Sequence, residues 1–233
     1  MRHLKQQVFQ VLSDSAFDAR LTELLIPPGR QVVNPLFAFL LHPEPIVRWR
    51  AVVAMGAVVS HLADTAAESA RVVIRRMIWQ LNDESGGIGW GCPEALGECV
   101  ARNASLAAAY HRMLVSYLDP AGNYLELPLL QQGLLWGVGR GAYQRPGLMT
   151  GWSHFLHPHL EAKSPHLRGL AAWAAGATGD AALLPALRRL LNDDASFEFF
   201  DGSRLIRLPV MAMAATTVAR LELTPKSASV DGK

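Results

Sequence analysis

A glycine-rich stretch near the middle of the chain presents a tryptophan and a glutamate four residues apart. The segment WQLNDESGGIGWGCPEALGE spans residues 79–98 and contains Trp90 and Glu94. A spacing of four along an incipient helix brings two side chains to the same side. A carboxylate placed beside aromatic rings can have a raised pKa and can serve as an acid or as a recognition acceptor. These residue types predict a site around Trp90 and Glu94.

A purely structural interpretation of the same two residues stays open. Glu94 would stabilise the start of its own helix as an acid of the first turn, and Trp90 would fill the space that the glycines leave. The segment is not a phosphate-binding loop, because neither Lys-Ser nor Lys-Thr follows GGIGWG.

Histidines and cysteines offer weaker candidates for chemistry. Four histidines lie close together at positions 154, 157, 159 and 166, but His157-Pro158 aligns with His42-Pro43 and so belongs to a repeated turn. The two cysteines, Cys92 and Cys99, are too few for a disulfide framework or a four-cysteine zinc site. The sequence therefore predicts neither a metal nor a cofactor.

The composition describes a chain that folds around a large core. It has 233 residues, of which 50% are hydrophobic and 18% charged, with a net charge of +2. This excludes an intrinsically disordered chain, and the charge is too small to imply a nucleic-acid or membrane-surface partner. No apolar stretch reaches the ~18 residues of a spanning helix, and the start MRHLKQQVFQ is no signal peptide. We expect a cytoplasmic protein with no membrane partner.

The elements that must position these residues are repeated helices. Most of the chain has helical periodicity, and every second helix closes in a run of small apolar residues. The closing marks are Gly56, Gly97, Gly139, Gly176 and Ala215, at spacings of 41, 42, 37 and 39 residues. A pair of helices at this period cannot bury its apolar face alone, so the pairs must stack on each other.

Aligning the marks brings further positions into register. Arg48, Arg168 and Arg207 stand eight residues before their marks. Three residues before the marks, along what we expect to be the inner stripe of the stack, come Val53, Glu94, Trp136, Trp173 and Ala212. The period, the arginine and the small-residue close resemble HEAT repeats, specifically those of the PBS-lyase HEAT-like family.

The resemblance implies an all-α fold, a right-handed α-α superhelix. About five HEAT-like repeats would form one continuous domain over residues 33–221, after an N-terminal helical cap over residues 1–32. Residues 222–233 are polar, contain a proline and are expected to be a disordered tail.

Several connections between the helices are long, and stacking would gather them on one edge of the solenoid. The last contains Asp201-Gly202 between two apolar runs, which predicts a small β-hairpin insertion near 197–207. Counted over residues 42–46, 81–92, 119–127, 157–164 and 192–207, the edge carries ten acidic and three basic side chains, a net charge of −7. Asp83, Asp119 and Asp193 would pair with the arginine that opens a neighbouring second helix.

The resemblance also gives expectations about the function. Its di-iron hydroxylases bind metal through His-Glu dipeptides, and this chain contains none. We expect a protein-binding solenoid, acting as adaptor, scaffold or assembly factor, for a protein partner of basic character and not for nucleic acid. The expected contact residues are Trp90, Glu94, Trp136 and Trp173, because aromatic anchors dominate interface energetics. The alternative is an enzyme with a site around Glu94, similar to a chromophore lyase or an alkylpurine DNA glycosylase.

Overall fold

The computed structural model describes residues 2–82 and 89–223. These residues form twelve α-helices, four short 3-10 helices and a two-stranded sheet. The α-helices are α1 (Arg2–Ser13), α2 (Phe17–Arg20), α3 (Gly29–Phe39), α4 (Pro45–Thr65), α5 (Ala67–Leu81), α6 (Cys92–Arg102), α7 (Ala104–Ser116), α8 (Pro128–Gln144), α9 (His157–Leu160), α10 (Pro165–Ala175), α11 (Leu184–Arg189) and α12 (Val210–Leu223). The 3-10 helices span Leu21–Leu25, Ser153–Leu156, Ala181–Leu183 and Leu190–Asn192.

The helices pack as a row of pairs. The second helices of the pairs, α4, α6, α8, α10 and α12, pack on one another in chain order, and we call these five the inner row. The first helices, α3, α5, α7, α9 and α11, each pack against their own inner-row partner. Stacking gives one continuous core, which no single pair of helices could form. The predicted α-α superhelix is confirmed.

Small residues let the inner-row helices approach each other closely. Gly97 of α6 faces Gly137 of α8, and a Cβ built on Gly97 would collide with the Gly137 backbone. Gly139 of α8 leaves room for the ring of Trp173 on α10. Larger side chains at such crossings would push the helices apart, because protein interiors are already close-packed. Gly56, Gly97, Gly139 and Gly176 are therefore positions of close contact, whereas the last small-residue mark, Ala215, is exposed.

An ion pair of Arg168 also links neighbouring pairs of helices. Arg168, in the first turn of α10, donates from Nε to Asp193 Oδ2 at 2.6 Å, and its Nη1 donates to the carbonyls of Ala162 and Lys163. The guanidinium holds the pKa of Asp193 below its ordinary value. This confirms the predicted pairing for Asp193. Asp119 instead accepts a hydrogen bond from the Ala121 N–H, and residue 83 lies outside the described residues.

The predicted hairpin is present between α11 and α12. Its strands, β1 (Ser196–Phe200) and β2 (Leu205–Pro209), pair antiparallel with Ser196 opposite Pro209. Asp201 Oδ1 accepts the N–H groups of Ser203 and Arg204, both at 2.9 Å, and so closes the turn. Gly202 has a φ of +107°, a conformation that side chains with a Cβ rarely adopt.

The hairpin crosses the inner row and reaches the start of the chain. Phe197 packs so closely on Gly169 of α10 that a Cβ there would collide with its ring. Phe200 stacks on Trp49 of α4, with ring centroids 4.7 Å apart. At the tip, Ser203 Oγ donates to Asp18 Oδ2 of α2 at 3.2 Å. The hairpin thus joins the last pair of helices to the first pair and to the N-terminal helices.

Helix α4 corrects one expectation from the sequence. Its 21 residues include an 18-residue window with a mean hydropathy of 1.3, so by length and composition alone the helix could cross a membrane. In the fold, 56% of that window is buried, because α4 packs against α3, α5 and α6. The apolar character of α4 is accounted for by its place in the middle of the core.

The N-terminal helices run into the first pair without a break. Helix α3 begins at Gly29, after Pro28, and crosses the expected boundary between residues 32 and 33. Pro35 lies inside this helix, where its missing N–H removes one backbone hydrogen bond. At the other end, α12 closes at Leu223, and residues 224–233 of the expected tail lie outside the described residues.

Candidate functional site

A cavity of about 490 Å³ opens between four inner-row helices and the hairpin. Its volume lies within the range of small-ligand and side-chain pockets. The walls come from α4, α6, α8 and α10, and the hairpin closes one side. The lining residues that carry charge or aromatic rings are Arg48, Trp49, Trp90, Glu94, Trp136, His166, Glu198 and Phe200.

Glu94 places its carboxyl group against the backbone of the neighbouring helix. It stands in the first turn of α6, which begins after Gly91 with Pro93 near its start. Gly133 of α8 provides the space, since a Cβ at that position would collide with the Glu94 carboxyl group. The Oε2 atom is buried and has no hydrogen-bond partner within the described part of the chain. An unsatisfied buried acceptor of this kind costs about 1–3 kcal/mol.

Burial also changes the acidity of this group. Desolvation raises the pKa of Glu94 from 4.5 to about 7, because the charged form loses its hydration. Its own backbone N–H and the positive charge of Arg48 act in the opposite direction and offset part of the shift. Near neutral pH the carboxyl group therefore exchanges readily between its neutral and its charged form.

Trp90 stands at the cavity wall just before α6. It is half-buried and packs against the core. Gly91, which follows, has a φ of +77° and lies so close to α3 that a Cβ would come within 3.0 Å of Leu40 Cβ. The glycine turn therefore sets the direction in which Trp90 points. Trp90 and Glu94 both line the cavity, but Trp90 lies before α6 and Gly91 between them is left-handed, so the helical spacing of four residues is not what brings them together.

Trp136 lies deeper and is held by the hairpin. Only 2% of it is exposed, and its Nε1 donates to the Phe200 carbonyl at 2.9 Å. Trp173 is half-buried on the far side of Trp136, with ring centroids 6.3 Å apart. It lines a second cavity of about 450 Å³, together with Arg140 and Tyr143. The fold thus brings Trp90, Glu94 and Trp136 to one cavity and places Trp173 next to it.

Several lining residues did not stand out in the sequence. Trp49 lies half-buried beside Trp136, with ring centroids 4.8 Å apart, and stacks on Phe200. Arg48 lines the cavity and forms no ion pair among residues 2–82 and 89–223. A signal for these two was available, because Arg48 aligns with the arginine that opens other second helices and Trp49 follows it directly. Nothing in the sequence indicated that Phe200 would line the cavity.

The rim of the cavity is apolar. Leu41, after α3, is 58% exposed, and Leu129, in the first turn of α8, is 59% exposed. Both line the cavity. Single exposed leucines are ordinary, but two at the mouth of one cavity offer apolar contact to whatever enters it.

A second glutamate of α6 was missed by the sequence analysis. Glu98 is 1% exposed and accepts hydrogen bonds from Arg102 Nε at 2.6 Å and from Arg140 Nε at 2.7 Å. Arg140 belongs to α8, so the pair links two neighbouring inner-row helices. Gly56 of α4 leaves room for the Glu98 side chain. This carboxylate is fully engaged in holding helices together.

The histidines and cysteines are placed in structural surroundings. Burial lowers the pKa of His159, and His166 Nε2 accepts the Glu198 N–H at 3.2 Å. Both thiols are buried, and burial raises the pKa of Cys92 to about 12. Within residues 2–82 and 89–223, no three His, Cys, Asp or Glu side chains are grouped as a metal site would require.

Comparison of the sequence with known proteins does not assign the chain to a family. No family model matches the chain. An uncharacterized protein of Archaeoglobus fulgidus is 26% identical over 175 residues, which are 75% of this chain and 88% of that protein. The PBS-lyase HEAT-like family that the sequence resembles is therefore not confirmed.

Solved structures of repeat proteins are similar over nearly the whole chain. A designed armadillo repeat protein in complex with the peptide (KR)4 matches with a TM-score of 0.53 and 18% identity, over 94% of this chain and 99% of that one. An archaeal HEAT-like repeats protein from Thermococcus onnurineus NA1 aligns over 98% of this chain and 83% of its own length, with a TM-score of 0.45 and 16% identity. At 18% identity the likeness to the designed protein concerns the fold alone, which is an armadillo-like repeat scaffold.

Proposed function

We propose that this protein is a binding scaffold that holds an extended segment of a protein partner across its inner row, as an adaptor or assembly factor. The observation that carries the proposal is the cavity at Trp90 and Glu94, which combines aromatic walls, an apolar rim and a carboxyl oxygen with no hydrogen-bond partner among residues 2–82 and 89–223. Interfaces gain most of their energy from a few aromatic anchors around such pockets. A cytoplasmic location belongs to the same proposal.

The partner segment is proposed to be basic. The long connections, which we expect along one edge of the solenoid, carry a net charge of −7 in the sequence, and complementary charge would speed encounter and select the partner. A repeat scaffold of the same fold, the designed armadillo protein, was solved with a peptide of lysines and arginines. That likeness supports a peptide as ligand.

One observation favours a second candidate, an enzyme with Glu94 as its acid or base. A carboxyl group whose pKa is about 7 is suited to proton transfer near neutral pH. The lyase-like and glycosylase-like alternatives would both use it. We favour binding, because the residues around the cavity include no nucleophile with an adjacent base.

The test is selection from a random peptide library on the immobilised protein, followed by affinity measurements on the enriched peptides. Trp90→Ala should weaken binding by about 2 kcal/mol or more, roughly 30-fold in Kd, as the loss of a buried aromatic anchor does. Trp79→Ala is the matched control, because Trp79 is 65% exposed on α5 and does not line the cavity. It should leave affinity unchanged.

Three outcomes would count against the binding proposal. One is a library from which no peptide is enriched, and another is equal affinity for Trp90→Ala and wild type. The third is low-micromolar, steeply salt-dependent binding of duplex DNA or release of an alkylated base, which would favour the enzyme. Melting temperatures of both variants show whether a lost affinity reflects lost folding.

A further inference from the structure

Resting on the proposed function, we propose that the cavity takes the cationic side chain of a lysine or arginine in the bound segment, with Glu94 accepting its N–H groups. The aliphatic stem of that side chain would lie along the aromatic walls. The cavity is thus assigned a defined chemical class of ligand, an N–H donor cation on an apolar stem.

The first reason is the unused hydrogen-bonding capacity of Glu94. Its Oε2 is buried against α8 and accepts no hydrogen bond from the described residues, while the side chain as a whole is half-buried and lines the cavity. Buried polar groups in proteins are nearly always paired, and each exception calls for an explanation. A rotation of the carboxyl group would turn this oxygen towards an N–H that a ligand brings into the cavity, and a charged donor forms the strongest bond with a carboxylate.

The second reason is the kind of wall around it. Trp49, Trp90 and Trp136 all line the cavity. The faces of indole rings carry negative electrostatic potential and attract cations more strongly than those of any other side chain. Long cationic side chains also bury their methylene stems on apolar surface while their charge finds a polar partner. Aromatic walls around a carboxyl group suit both parts of a lysine or arginine.

The third reason is the mouth of the cavity. Glu198 on the hairpin is exposed there and adds a second negative charge, while Leu41 and Leu129 offer apolar contact to the residues on either side of the cation. Arg48 and His166 also line the cavity and act against a cation in its empty state. Arg48 has five N–H donors, which suit the backbone carbonyls of an extended peptide.

The probe is a set of capped pentapeptides with the sequence Ala-Leu-X-Leu-Ala. X is lysine, arginine, trimethyllysine or norleucine, so that charge and N–H donation are varied on stems of similar length. We expect the lysine and arginine peptides to bind at least tenfold more tightly than the norleucine peptide. Trimethyllysine keeps the charge but has no N–H on its cationic group, so it should lose most of that advantage.

Two protein variants test whether Glu94 causes the preference for lysine over norleucine. Glu94→Gln should remove the preference for lysine over norleucine while leaving the protein folded. Glu126→Gln is the matched control, because it removes one negative charge from the same acidic edge without touching the cavity, and it should keep the preference. In wild type the preference should grow from pH 6 to pH 8, since the carboxyl group must lose its proton to bind a cation. The same pH series on Glu94→Gln measures the pH dependence that Arg48, His166 and Glu198 contribute.

The outcomes separate this inference from the proposed function. If norleucine and lysine peptides bind equally well, or if library peptides anchor without a cation, peptide binding stands and the assignment of a cationic side chain is overturned. If trimethyllysine binds as tightly as lysine, the rings carry recognition and the role of Glu94 is overturned. If no pentapeptide binds while library peptides do, the cavity is not where the cation lies, and the inference fails while the scaffold remains.

Discussion

Two glutamates stand one helical turn apart on α6 and have opposite surroundings. Glu98 is engaged by Arg102 and Arg140, from its own helix and from the next inner-row helix. Glu94 lies against the Gly133 backbone with a buried oxygen that has no partner in the described residues. Glu98 is buried as a whole, whereas Glu94 is half-buried with one shielded carboxyl oxygen, and only Glu98 has the ion pairs that a buried charge requires.

The two glutamates differ in what their carboxyl groups are available to bind. A buried charge that is paired within the fold fixes the packing of two helices, and removing one partner is strongly destabilising. A buried acid that is left unpaired makes the folded state less stable when it ionises, and that cost is recovered only when a ligand supplies the missing donor. Unequal pairing of chemically identical residues is therefore a marker for a binding site.

The largest expected effect is on the paired glutamate. Glu98→Gln should lower the free energy of unfolding by about 3 kcal/mol, because two partly buried guanidinium groups lose their counter-charge. Urea denaturation at neutral pH measures it, with the exposed Glu126→Gln as control. A loss below about 0.5 kcal/mol would mean that both arginines regain hydration freely, and the contrast with Glu94 would disappear.

The next effect tests the helix crossing that positions both acids. Gly97→Ala should cost about 2 kcal/mol, since the added methyl group collides with the Gly137 backbone and forces α6 away from α8. Gly147→Ala is the matched control, because nothing lies within 4 Å of its added Cβ, and it should be neutral. Thermal unfolding of both variants decides the matter. Equal melting temperatures would show that the crossing tolerates a side chain.

The smallest effect has the opposite sign. Glu94→Gln should raise the free energy of unfolding by about 1 kcal/mol near pH 8, because a neutral amide avoids the cost of burying the charge, a cost that the partial exposure of the side chain reduces. The folded-state pKa of about 7 lies above the 4.5 of the unfolded chain, so stability is lost as pH rises between these values. The gain over wild type should therefore shrink as pH falls to 5.

The same pH series gives a direct comparison of the two glutamates. Glu98→Gln should be less stable than wild type and Glu94→Gln more stable at neutral pH. If Glu94→Gln were also destabilised at pH 8, the carboxyl group would have a structural partner, and its assignment to recognition would be wrong.

Much of the architecture was predictable from local and periodic signals. The spacing of Gly56, Gly97, Gly139 and Gly176 marks where inner-row helices meet, because only the smallest residues fit at such crossings. The hairpin followed from Asp201-Gly202 between apolar runs, since a turn of this kind depends on adjacent residues. Trp90 and Glu94 were expected at one site and both line the cavity, although the left-handed Gly91 between them interrupts the helix on which that expectation depended.

The sequence by itself determined the stacked helices and the hairpin, because each depends on residues close in the chain or on a regular period. Only the tertiary structure decided that the hairpin folds back over the inner row, where Ser203 meets Asp18 across 185 residues and Phe200 covers Trp136. It also decided that Glu98 contacts Arg140, 42 residues away, while Glu94 Oε2 has no such partner among the described residues. These particular contacts recur at no fixed spacing and leave no periodic trace, because they depend on how whole helices are placed relative to one another.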